Sequence, residues 1–230
     1  MTTTARPVGA PVDPSPAQLP GPAALSGRSG SVERLSATRD ASDLWQALHG
    51  YDEVWTYMAY GPFADTRSFA AWLAEREALK DPYYYSVRGE DGRALGLVTL
   101  MAIRPTMRVV EVGNIVYSPS LQRTLLATET QYLLARYVFE TLGYRRYEWK
   151  CDALNAPSRR AALRYGYFFE GIFRQHMIIK ARNRDSAWFS MLDSEWPKRK
   201  RNFERWLAPE NFDTQGRQKI SLAALNGQKA

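Results

Sequence analysis

The residues of this chain with the most chemical promise lie in one run, residues 109–130, VVEVGNIVYSPSLQRTLLATET. The first part is apolar, the middle breaks at Tyr117, Ser118 and Pro119, and the last part carries an amphipathic pattern. Pro119 cannot donate to a strand ladder and disfavours helix at Ser118, so a strand ends here and a helix starts near Leu121 or Gln122. The first N–H groups of a helix have no partner within it, and they lie at the positive end of its dipole. Arg123 adds a full charge at the same point. Such a handover suits a ligand that carries phosphate, and a pyrophosphate would sit well on it.

Other chemistries are poorly supplied. The chain has a single cysteine, Cys151, and two histidines, His49 and His176. An internal disulfide is excluded, and a structural zinc site lacks ligands, so no metal is expected. Cys151 sits in mid-strand with no histidine or helix start nearby to lower its pKa, which argues against a covalent nucleophile.

Composition bounds the rest. With 230 residues, 45% apolar and 24% charged, the chain has the make-up of one soluble globular domain. No run approaches the roughly 18 apolar residues of a membrane helix, so a soluble, cytoplasmic protein without membrane attachment is expected. The net charge of +7 admits an acidic ligand or nucleic acid, although scattered solvated Arg and Lys account for it more simply. Only residues 198–201, KRKR, followed by Phe203 and Trp206, pair basic with aromatic residues as nucleic-acid contacts do.

The elements that must position the central run follow from periodicity. Residues 1–30, dense in Pro, Gly, Ala and Ser, are expected to be disordered, and they hold no apolar core of signal-peptide length. Residues 31–196 make the domain, and residues 197–230 a basic helix with a frayed tail. A short strand near 31–37 precedes a helix over 38–49, stopped by Gly50. Residues 54–64 are an aromatic loop, and Thr66 is expected to cap a helix over 67–80. Strands at 83–88, 94–103 and 109–117, with a turn at Asp91 and Gly92, form an antiparallel meander. A helix spans 121–142 up to Gly143, and 145–152 alternates as a half-buried strand. Asn155 caps a short helix with Pro157 in its first turn. Strands at 168–180 and 187–192 flank a polar turn at 181–186. The order predicts an α/β fold with a mixed, mostly antiparallel central sheet flanked by helices.

At this point the motifs become recognisable. QRTLLATE (residues 122–129), after the strand EVGNIVYSP and before LNAPSRRAALRYGYFFEG, resembles the GNAT superfamily of acetyl-CoA-dependent N-acetyltransferases, with most similarity to the Rim-type branch that acetylates protein N-termini. The resemblance covers roughly residues 31–196 and implies the acyl-CoA N-acyltransferase fold, with acetyl-CoA as co-substrate. It implies that Gln122, Arg123, Thr124, Leu125, Leu126, Ala127 and Thr128 form the phosphate loop, Leu125 standing where the family has a central glycine. It further implies that Asn155 holds the pantetheine arm, that Ser158 or Tyr165 lies near the sulfur, and that residues Ile115, Val116 and Tyr117 present backbone N–H groups to the thioester carbonyl. Asn155 as a plain helix cap, Ser158 as a first-turn residue and Tyr165 as a core aromatic stay open as alternatives.

An amine attacks a thioester only when neutral, and amines with pKa of about 8 to 10.4 are mostly protonated at neutral pH. A base is therefore needed. Glu111 is the candidate, placed by strand alternation on a face with Val109 and Ile115, where an apolar setting would raise its pKa. His176 is the second candidate, because its intrinsic pKa lies near the operating pH. Ser158 or Tyr165 would return a proton to the departing thiolate. The acceptor is expected to be a protein N-terminus, a lysine or a small amine, a homodimer is compatible with the sequence, and nucleic acid is disfavoured as a partner. The alternative is a non-catalytic protein of this fold that binds acyl-CoA or nucleic acid.

Overall fold

The computed structural model describes residues 6–227. Eight strands, Leu25–Ser26 (β1), Gly30–Arg34 (β2), Tyr83–Gly89 (β3), Ala94–Arg104 (β4), Val109–Tyr117 (β5), Arg146–Asp152 (β6), Phe168–Ile179 (β7) and Arg182–Leu192 (β8), form one sheet in the order β1-β2-β3-β4-β5-β6-β8-β7. Every neighbouring pair is antiparallel except β5 with β6, which are parallel. Hairpins suffice for the meander, whereas the parallel pair needs the long crossover that a helix supplies.

Alternation along the strands feeds two cores. Tyr84 points to one face with Leu44, Leu48, Phe69 and Trp72 of helices Ala37–Leu48 (α1) and Thr66–Ala78 (α2). Tyr83 and Tyr85 point to the other, where helices Leu125–Arg136 (α3), Ala156–Arg164 (α4) and Trp196–Leu207 (α5) contribute Leu133, Ala162 and Phe203. No helix among the described residues is long and apolar enough to cross a membrane.

Several boundaries differ from the sequence expectation. The cap of α2 is Asp65, whose carboxylate accepts the Ser68 N–H at 2.7 Å, and Thr66 is the first helical residue. Helix α3 starts at Leu125 rather than Leu121, because Thr124 Oγ1 accepts the Ala127 N–H at 3.1 Å and fixes the cap there. Its last part widens into a π turn over Tyr137–Thr141. The turn between β7 and β8 is at Lys180 and Ala181, both with positive φ (48° and 58°), so the polar residues from Arg182 onward are ladder partners rather than loop. The expected disorder of residues 1–30 fails from Ala17 onward, while residues 1–5 and 228–230 lie outside the described residues. Ala17 and Gln18 N–H groups donate to Pro105 and Leu142 carbonyls, and Arg28 and Ser29 N–H groups donate to the Glu129 carboxylate at 2.8 and 2.7 Å. A segment poor in core formers is thus held by its backbone donors. The tail after Pro209 does not fray either: Leu222, in the short helix Leu222–Leu225 (α6), is fully buried. Phe203 and Trp206 are largely buried, so the basic run 198–201 has no exposed aromatic partner in them.

Candidate active site

The site begins with a one-residue irregularity. Between Thr99↔Gly113 and Leu97↔Val116, β5 carries one residue more than β4, and Asn114 takes φ +48°. Such a bulge bends its strand and shifts the alternation by one. Val110 and Val112 therefore face the α3 core while Val116 faces α1 and α2. Pairing of β5 with β6 stops at Val112↔Trp149, although β5 continues to Tyr117 and β6 to Asp152. The two strands part as a fork. The same bulge corrects the placement of Glu111. It shares no face with Ile115, which packs on the α3 side.

The phosphate-loop candidates close one mouth of this fork. Leu121 and Gln122 N–H groups both donate to the Ser118 carbonyl at 3.0 Å, and the chain reverses at Arg123 with φ +63°. The N–H groups of Arg123, Leu125 and Leu126 make no hydrogen bond within the described residues. The left-handed conformation thus falls on Arg123, and Leu125 has ordinary helical backbone, so its φ does not require glycine. A glycine is required at Gly96 instead, where an added Cβ would lie 2.8 Å from both Leu121 Cδ2 and the Val116 carbonyl oxygen.

A cleft of about 1040 Å³ runs from this helix start along α4. Of the residues singled out from sequence, Ile115, Tyr117, Gln122, Arg123, Thr124, Leu125, Ala127, Thr128, Asn155, Ser158 and Tyr165 line it. Val116 and Leu126 do not, their side chains being buried in the two cores. Asn155 caps α4, its Oδ1 accepting the Ser158 N–H at 3.1 Å. Ser158 Oγ accepts the indole N–H of Trp149 at 3.0 Å; because that nitrogen only donates, the hydroxyl keeps its own proton for another acceptor. Tyr165 stacks on Phe203, and burial pushes its phenol up, so it stays protonated. Burial likewise pushes the Cys151 thiol up, which leaves it a poor nucleophile.

Tyr57 and Met58 of the aromatic loop, a segment the sequence marks as able to line a substrate mouth, line the cleft with Glu53, whereas Trp55 packs with Phe69 and Trp72 against the sheet. The cleft also takes residues that the sequence did not flag. Arg160 and Arg164 join Arg123 as cations, and Trp206, Phe212 and Gln218 enter from the C-terminal segment. Hydrogen bonds from Arg28 to the Leu207 carbonyl and from Asn226 to the Arg164 carbonyl hold that segment here, and no local pattern announces it. Three arginines and free N–H groups form a donor set suited to an anionic, phosphate-bearing ligand such as a CoA thioester.

Glu111 and His176 lie outside the cleft, on the opposite face of the sheet. Glu111 is buried and its carboxylate is 2.8 Å from Lys150 Nζ, which also reaches Glu148 at 3.2 Å and lies 3.9 Å from the ring centre of Trp188. Burial pushes Glu111 above the usual carboxylate range, and the Lys150 cation only partly offsets this. Glu148 is pushed up by burial too, but Arg146 and Lys150 outweigh it and hold the carboxyl low. His176 makes edge contact with Trp188 at 5.9 Å, with Nδ1 2.9 Å from Ser186 Oγ. Lys180 Nζ donates to the Trp55 carbonyl at 3.1 Å and ties the β7–β8 hairpin to the aromatic loop beside this face.

Comparison with known proteins agrees with this architecture. Residues 32–167 match the family described as acetyltransferase (GNAT) domain. A GCN5-related N-acetyltransferase from Brucella melitensis is 43% identical, with 93% of this chain and 98% of that one aligned at a TM-score of 0.90. A protein described as a probable acetyltransferase of the GNAT family from Chromobacterium violaceum is 41% identical over 84% of this chain and 100% of that one, TM-score 0.76. A GNAT-family acetyltransferase from Bacillus anthracis, 17% identical over 75% of this chain and 100% of that one, shares the fold with a TM-score of 0.65. Comparison with the curated proteins gave no match.

Proposed function

Since this chain belongs to the GNAT acetyltransferase family, we propose that it carries an acetyl group from acetyl-CoA directly to a primary amine, a protein N-terminus or a small amine, in a ternary complex. The observation that carries this reading is the fork between β5 and β6, which opens the sheet at the point where the free N–H groups of α3 begin. Acetyl-CoA supplies the acyl group as an activated thioester. Arg123, the N–H groups of Leu125 and Leu126, and Thr128 hold its phosphates, and Asn155 with Ile115 and Tyr117 borders the arm in the fork.

The acceptor reaches the fork from the other face, between the aromatic loop and the β7–β8 hairpin. Glu111 takes the proton that the amine must lose, and its raised pKa suits that task. N–H groups of β5 beyond Val112, no longer paired with β6, polarise the thioester carbonyl. Ser158 gives its free hydroxyl proton to the departing thiolate, with Tyr165 as the neighbouring phenol. His176 lines the acceptor side and orients rather than removes protons, because Lys150 and Trp188 stand between it and Glu111.

The test is thiol release from acetyl-CoA with a panel of acceptors that includes short peptides with free N-termini, the acceptor class of the Rim-type branch, and simple diamines. Release that depends on one class of amine supports the reading. Tight acetyl-CoA binding with no release for any amine contradicts it and leaves an acyl-CoA-binding protein.

A further inference from the structure

We infer that the C-terminal segment of this chain is the wall that takes the nucleotide end of CoA, so that residues 206–218 set affinity for CoA over shorter pantetheine ligands; this rests on the acetyl-CoA reading above. The segment lies beyond the family match, which ends at residue 167. Even so, Trp206, Phe212 and Gln218 line the same cleft as Arg123 and Ser158.

The segment is fastened in place from both ends. Asn211 is buried, its Nδ2 donating to the Trp206 and Ile220 carbonyls at 3.1 Å and its Oδ1 accepting the Ile220 N–H at 3.0 Å. Trp206 Nε1 donates to Gln218 Oε1 at 2.7 Å, and Phe212 bridges to Gln218. Asn226 Nδ2 donates to the Arg164 carbonyl at 2.9 Å and so joins the residue after α6 to the last turn of α4. From the N-terminal side, Arg28 Nη2 donates to the Leu207 carbonyl at 2.9 Å. A loop closed by this many bonds presents its side chains at fixed positions.

Those side chains match a purine nucleotide. The Arg164 guanidinium lies 4.8 Å from the indole centre of Trp206 and donates to Thr128 Oγ1 at 3.1 Å, while Phe212 meets Trp206 edge-on at 5.3 Å. Thr128 stands about one turn along α3 from the free N–H groups. With a pyrophosphate at the helix start and the pantetheine arm in the fork, the adenosine half has the remaining wall, where the half-buried Phe212 ring and the Arg164 plane, both packed on buried Trp206, offer stacking for its base.

Titration calorimetry of the full chain with free CoA and with 4′-phosphopantetheine tests this. The ratio of the two dissociation constants is compared between the parent protein, Phe212→Ala and Phe212→Leu, the last keeping apolar packing while removing the ring. Stacking of a base on an aromatic side chain predicts that both variants cut the preference for CoA about tenfold, with melting temperatures recorded to show that they fold. An unchanged ratio in the folded variants overturns the inference while leaving the acetyl-CoA reading intact. Failure of the parent protein to bind either ligand overturns both.

Discussion

Lys150 Nζ and the Glu111 carboxylate lie 2.8 Å apart on the sheet face that the fork opens onto, both nearly out of solvent. The two residues sit on neighbouring parallel strands, Lys150 two residues beyond Glu148, the ladder partner of Glu111, where the pairing of those strands ends. Burial pushes the carboxyl above its ordinary range, and the lysine opposes that push by favouring the charged form.

Glu111→Gln keeps the shape of the side chain and removes its ability to take a proton. Steady-state rates of the acetyl transfer are expected to fall by about 10²–10⁴-fold in kcat, with acetyl-CoA affinity retained. A variant that keeps its rate would remove Glu111 from the mechanism.

Lys150→Met removes the cation that offsets burial, so the Glu111 pKa must move further upward. The base works only when ionised. The acidic limb of the kcat–pH profile should therefore lie at higher pH in the variant than in the parent protein. An acidic limb that stays where it was would show that another group titrates.

How far the site was legible from sequence varies with the kind of signal. Pro119 and the polar break marked the strand-to-helix handover, and Asn155 with Pro157 marked α4, because caps and prolines act locally. Ile115 was wrongly given the face of Glu111 because period-two counting cannot see the extra residue at Asn114. Trp206, Phe212 and the tail from Ala17 were missed for another reason. Their positions depend on contacts with residues about 40 or more places away in the sequence, such as Arg28 with Leu207 and Asn226 with Arg164, which no local pattern encodes.

Stability should show an acid-sensitive contribution from Asp40. Asp40 is fully buried; burial pushes its carboxyl up, but bonds from Arg39, the Ser36 N–H and Ser86 outweigh this, and Arg88 pairs with it as well, so its pKa lies below the ordinary value. A depressed pKa contributes stability that is present above the unfolded value of about 3.9 and lost as pH falls through the folded one. Asp40→Asn is expected to cost about 1–3 kcal/mol at neutral pH, since the largely buried Arg88 guanidinium loses its carboxylate partner. Urea unfolding at neutral pH and near pH 3 should show the gap between the two proteins narrowing on acidification.

Acetyl-CoA binding, measured by titration calorimetry on the parent protein and on Arg123→Glu, addresses the central claim most directly. The account predicts binding in the micromolar range, weakened at least tenfold by a carboxylate at the mouth of α3, because that charge opposes both the phosphates and the helix dipole. No heat on titration and no change in melting temperature with the parent protein, or equal affinity in the variant, would contradict it.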